Sequence, residues 1–195
     1  MNAPVLDPST SPNLPTILEG TLDPVGVTVS SLLVDGSISG NNPVEAIAIE
    51  AVDTSLGTWQ YSLDAGITWL TIQSHLLNSS TNTLGLLLGP TSMIRLLPFG
   101  ELSGTLTNAL TFRAWDMSSG DAGQYVVTTP GIGAFSNATD TASIHVMPVN
   151  STPSFSPLEG GGKTMISGTQ QAFGMVVQPD GKIVVDGYIG SGMGL

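Results

Sequence analysis

Leu110-Thr111-Phe112-Arg113-Ala114-Trp115-Asp116 alternates along the chain so that an extended strand would carry Leu110, Phe112 and Ala114 on one face and Thr111, Arg113 and Trp115 on the other. The first set is expected to face a core. Outward from this stretch, short runs rich in β-branched, aromatic or leucine side chains recur at 25–34, 44–52, 58–63, 68–72, 84–88, 93–97, 124–128 and 141–147, each separated from the next by turn residues. Strands at this spacing predict a sandwich or barrel. Trp59-Gln60-Tyr61-Ser62-Leu63 and Thr68-Trp69-Leu70-Thr71-Ile72 flank Asp64-Ala65-Gly66-Ile67, a compact connection with a glycine for positive φ, and form the clearest hairpin. No window has convincing helical periodicity, and the leucine-rich 84–88 run is short and stops at Gly89-Pro90.

The ends differ from this body. Residues 1–15 carry Pro4, Pro8, Pro12 and Pro15 among Ser, Thr and Asn, and are expected to form an extended lead-in that pairs at most along a sheet edge. The body spans 16–149, and 150–170 reads as a linker broken by Gly160-Gly161-Gly162. In 171–195, Phe173-Gly174-Met175-Val176-Val177 and Lys182-Ile183-Val184-Val185 flank the turn Gln178-Pro179-Asp180-Gly181, which predicts a short hairpin. The start is also echoed late in the chain. Asn2-Ala3-Pro4 and Leu18-Glu19-Gly20 recur as Asn150-Ser151-Thr152-Pro153 and Leu158-Glu159-Gly160, roughly 140–150 positions on, a separation that suits one globular domain meeting a sister copy.

Composition narrows the function classes. Fifteen carboxylates face four Lys and Arg residues, for a net charge of −11, which makes nucleic acid and anionic membrane poor partners. With charged residues at 10% and 24 glycines, the surface is expected to be built from Ser, Thr, Asn and Gly, as in extended extracellular β-proteins. The absence of cysteine excludes a disulfide framework and thiol chemistry without fixing a compartment. No run reaches the roughly 20 apolar residues of a membrane helix, so membrane insertion is not expected. Met1-Asn2-Ala3-Pro4 lacks the basic and apolar regions of a signal peptide, so the start reads as a boundary within a larger protein or a broken gene.

Leu56-Gly57-Thr58-Trp59-Gln60-Tyr61-Ser62-Leu63-Asp64, with Thr68-Trp69 and Phe112-Arg113-Ala114-Trp115-Asp116, resembles a cadherin-like, Ig-like tandem repeat of giant bacterial surface and secreted adhesins, over about residues 2–153. The resemblance implies a Greek-key β-sandwich, a non-enzymatic adhesion or stalk role outside the cell, and neighbouring repeats or identical chains as partners. It also implies calcium between domains, with Glu19 and Asp116 as ligands and Asp35, Asp140 and Asn150 as weaker candidates. Two departures remove carboxylates: the linker usually written Asn-Asp-Ala-Pro is Asn150-Ser151-Thr152-Pro153 here, and Ser39-Gly40-Asn41-Asn42 stands in place of an Asp-x-Asp-Gly turn. The segment Gln178-Pro179-Asp180-Gly181-Lys182-Ile183-Val184-Val185, followed by Gly187, resembles part of a delta-60 repeat, a propeller-type β-unit usually found in tandem.

Other chemistry is thinly represented. Trp59, Trp69 and Trp115 would suit sugar stacking, but large aromatics on strands are more often core. His75 and His145 have no catalytic motif around them, and no Gly-x-Ser-x-Gly elbow or metal-type histidine spacing occurs. Pairs such as Glu45 and Glu50 are expected by number alone. The alternatives to a spacer are a module binding a surface glycan or protein through loops at one end of the sandwich, and a subunit that self-assembles by exchanging its lead-in.

Overall fold

The computed structural model describes residues 2–40, 43–77, 84–149, 170–177 and 183–189. Among the described residues, fourteen strands and one helical turn follow in order: β1 (Val5–Leu6), β2 (Ile17–Leu18), β3 (Val27–Thr28), α1 (Val29–Leu32), β4 (Ile38–Ser39), β5 (Ile47–Val52), β6 (Gly57–Ser62), β7 (Leu70–Thr71), β8 (Leu84–Leu88), β9 (Met93–Pro98), β10 (Gly104–Trp115), β11 (Tyr125–Val127), β12 (Phe135–Met147), β13 (Gln170–Val177) and β14 (Ile183–Ile189). The chain divides into two compact units, Met1–Asn150 and Ser151–Leu195. The all-β expectation holds.

The first unit is a sandwich. One sheet has the order β11-β8-β5-β10-β12-β2 and the other β3-β9-β6-β7, with β1 and β4 as a separate pair. Period-two alternation explains the layers. Ile47 and Ile49 of β5, Leu86 and Leu88 of β8, Leu110, Phe112 and Ala114 of β10, and Ala142, Ile144 and Val146 of β12 share one buried cluster with Trp59 and Tyr61 of β6 and Ile94 and Leu96 of β9. Burying each large side chain in this layer contributes about 1.5–3 kcal/mol. The Leu110, Phe112 and Ala114 face is therefore inside, as the alternation requires.

The opposite face of β10 is covered as well. Trp115 is fully buried among Ala46, Ala48, Leu87, Ala134 and Phe135, a second apolar cluster on the outer side of the six-stranded sheet, and its indole N–H donates to the Ser119 carbonyl at 2.9 Å. The loop after Trp115 folds back over this face, an arrangement strand periodicity does not report.

Boundaries moved where side chains compete with the ladder. The 25–34 run is not one strand: β3 is two residues long, and Thr28 then caps a single helical turn, its hydroxyl accepting the Ser31 N–H at 3.2 Å while Val29 and Leu32 enter the core. The 59–72 hairpin forms as read, with Ala65 and Gly66 both at positive φ (58° and 86°). Ser62 and Thr68 close it on Asp64: the Thr68 hydroxyl donates at 2.6 Å, the Thr68 N–H at 2.8 Å and the Ser62 hydroxyl at 2.7 Å. These bonds, those of Thr68 foremost, hold the Asp64 carboxyl at a pKa of about 2.

In the second unit, β13 and β14 pair antiparallel from Gln170↔Ile189 to Val177↔Ile183, with an irregularity between Ala172 and Gly174. The hairpin predicted for 171–195 is present in these strands, while its turn at 178–181 lies outside the described residues, as does the linker at 150–169.

Candidate functional site

The lead-in is integral to the sandwich. Leu6 and Leu14 are buried in the main core, and the segment runs parallel to β12 along the sheet edge: Asn13 bridges Ser143, Ile17 pairs with Val146 and Leu18 with Met147. Leu14 N–H donates to the Ser143 carbonyl at 2.8 Å, Ser143 N–H to the Pro12 carbonyl at 3.0 Å, and Glu19 N–H to the Met147 carbonyl at 2.9 Å. Prolines suit this edge, because a residue lacking an N–H can still present its carbonyl to the neighbouring strand.

Side chains stitch the same seam. Asp140 of β12 accepts the Thr10 hydroxyl at 2.8 Å and the Ser11 N–H at 3.2 Å on one oxygen, and the Thr141 N–H at 2.7 Å on the other. The Ser143 hydroxyl donates to the Asn13 side-chain carbonyl. At the far end, Glu19 accepts the Val149 N–H at 2.9 Å. Further out on the lead-in, Ser9 holds the exposed Asp7 carboxyl below its ordinary pKa, its hydroxyl contributing more than its N–H.

The seam defines two poles. At the leading pole, Ala3, Pro4 and Val5 line an open cleft of about 670 Å³ together with Gly131, Ile132 and Asn137. At the trailing pole the chain leaves β12 beside Glu19. Between them runs the length of β12, roughly 35–40 Å at the usual rise per residue of a strand.

Of the five residues expected to hold calcium, the four among the described residues do not converge within the first unit. Asp116 lies at the leading pole, where its N–H bonds the Ala134 carbonyl and its carboxylate accepts the Ser118 N–H at 2.9 Å, whereas Glu19 sits at the trailing pole. A strand's length separates them. Asp140 is buried with both oxygens facing N–H and O–H donors. Asp35 is exposed on a cleft of about 440 Å³ that it shares with Glu45, and Asn150 lies outside the described residues. Among the described residues no group of three or more His, Asp or Glu side chains is gathered in a metal-binding arrangement. Calcium takes six to eight oxygens, so this set as placed does not fit the ion without oxygens from elsewhere.

A polar network unread from the sequence stands behind the seam. Arg113 donates to both oxygens of Glu50 at 2.6 and 3.1 Å and to the carbonyls of Ser136 and Asn137 at 2.9 and 2.7 Å; Thr128 donates to Glu50 from β11's side. Both charges are buried. The network ties β5, β10 and the start of β12 together. Its only signal in the sequence was the alternation of charged and apolar residues, which suggested an exposed face.

The tryptophans separate. Trp59 and Trp115 are core, and Trp59 donates its indole N–H to the Asp53 carbonyl at 2.7 Å. Trp69 is half-buried on the outer side of the four-stranded sheet, with the Arg95 guanidinium 3.9 Å from its ring centroid and Arg95 also bonded to Asp23 and Gln60. A three-tryptophan sugar platform is thereby ruled out by burial. His145 shares a 2.8 Å contact with Thr105 on an exposed strand pair, and His75 is exposed in a turn.

A scan of protein-family models found no match to the chain, and searches of curated proteins and of solved structures also returned none.

Proposed function

We propose that the chain is a non-enzymatic structural repeat of a large extracellular bacterial protein, one unit of a string in which domains follow one another end to end. The observation that supports this reading is the placement of the two ends of the first unit: the lead-in begins at one pole, runs along β12, and the chain leaves the unit at the other pole. Copies joined through these ends add length, where ends on one side would fold the string back. The recurrence of the Asn2-Ala3-Pro4 and Leu18-Glu19-Gly20 motifs past residue 149 supports a following copy. The acidic, lysine-poor surface would keep such a string soluble and extended. Stiffness in this reading comes from the lead-in seam, and calcium is not required within the unit.

Trp69 makes the test direct, since it is the half-buried tryptophan on an open face and reports events there. Titration with bacterial surface glycans while following tryptophan emission, with mass by light scattering, is expected to give no saturable change and a monomeric mass. Saturable emission changes would put a glycan-binding module first, and a mass that grows with concentration would put lead-in exchange first.

A further inference from the structure

We propose that the lead-in and β12 form a shear clamp that sets the tension at which the first unit opens when it is pulled through its ends. This rests on the spacer reading, because only a unit loaded end to end meets the geometry. The two strands are parallel, the lead-in starting at the leading pole and β12 finishing at the trailing one. Tension then draws residue 2 one way and residue 149 the other, so the strands slide past each other along their common axis.

Inter-strand bonds run across that axis. The Leu14, Ser143 and Glu19 N–H bonds are therefore strained together, where peeling would break them in turn. Three side-chain clasps lie in the same seam: Asp140 on Thr10 and Ser11, Ser143 on Asn13, and Glu19 on Val149. Sliding also drags Leu6 and Leu14 out of the core, so apolar surface is exposed in the same step. Past the clamp, Gly20 takes a φ of 68°, turning the chain away from β12 as soon as the pairing ends.

The chain contains no cysteine, so introduced pairs give unique handles. In single-molecule pulling on the full chain, Asn2→Cys with Val149→Cys loads the seam in shear; Asn2→Cys with Ile132→Cys, both at the leading pole and exposed, peels it. With at least three backbone bonds beside the β2–β12 ladder sharing the load in one case and yielding one at a time in the other, the shear geometry should open at a force higher by at least about threefold. Asp140→Ala should lower the shear force and leave the peeling force unchanged. Equal forces in the two geometries, or an Asp140→Ala effect confined to peeling, would overturn the clamp. Spin labels on the 2 and 149 pair separate the two readings: a short distance removes the spacer itself, whereas a long distance with equal forces removes only the clamp.

Discussion

Replacing Arg113 by Met should destabilise the first unit by about 3–5 kcal/mol, the usual consequence of removing one partner of a buried ion pair. The magnitude follows from what the guanidinium touches. Its side chain and that of Glu50 are each 9% exposed, so neither charge has bulk water as a substitute partner. The substitution leaves the Glu50 carboxylate in place without its cation and removes a donor from the carbonyls of Ser136 and Asn137, where β12 begins. Against a total stability of about 5–15 kcal/mol for a domain, this loss is large, and it should lower a urea midpoint by about 2 M. The informative companion is Glu50→Met with Arg113→Met. Removing both charges leaves no unpaired ion, so the double variant should be more stable than Arg113→Met alone, a sign reversal that a simple loss of contacts does not give. An Arg113→Met cost below about 1 kcal/mol, or a double variant less stable than the single one, would refute the reasoning that desolvation of an unpaired charge dominates.

Other substitutions test separate parts of the fold. Gly57→Ala would put a methyl 2.4 Å from the Leu97 carbonyl oxygen on the neighbouring strand, and should cost about 1–3 kcal/mol in chemical denaturation. Trp59→Phe removes the indole donor to the Asp53 carbonyl and part of the core volume, and should cost about 1–3 kcal/mol by the same assay. Asp64 titrates at about 2 in the fold against an ordinary value of 3.8, so its contribution is fully present above pH 3.8 and fades as pH falls toward 2. The melting temperature of Asp64→Asn should accordingly lie below that of the parent at pH 5 and converge on it by about pH 2.

What the sequence showed and what it hid follow from contact range. Alternation is local, so the inward face of β10 and the 59–72 hairpin were legible, and 84–88 was read with its observed ends. The first half of β12 was not, because Ser136, Asn137, Thr139 and Asp140 look like a turn until their partners are known: Ser136 and Asn137 take Arg113, and Asp140 takes Thr10 and Ser11. Those last contacts join residues some 130 positions apart, and no local pattern encodes them. The lead-in looked peripheral for the same reason, although Leu6 and Leu14 sit at core positions. The acids expected to hold calcium between domains are not gathered within the first unit. Asp116 and Glu19 carry the right chemistry for a cation, but β12 holds them at opposite poles, and Asp140 is engaged by donors in the seam. Burial of Trp115 on the outer face likewise depends on a loop whose return over the sheet leaves no periodic trace.

The first unit takes its chain in at one pole and lets it out at the other. Spin labels on Asn2→Cys and Val149→Cys in the full chain, read by pulsed dipolar spectroscopy, measure this directly. One narrow distribution centred at roughly 35–40 Å, the length of β12 between the poles, is expected. A distribution centred below about 20 Å, half that span, would place both ends on one side and contradict the spacer reading together with the seam that supports it.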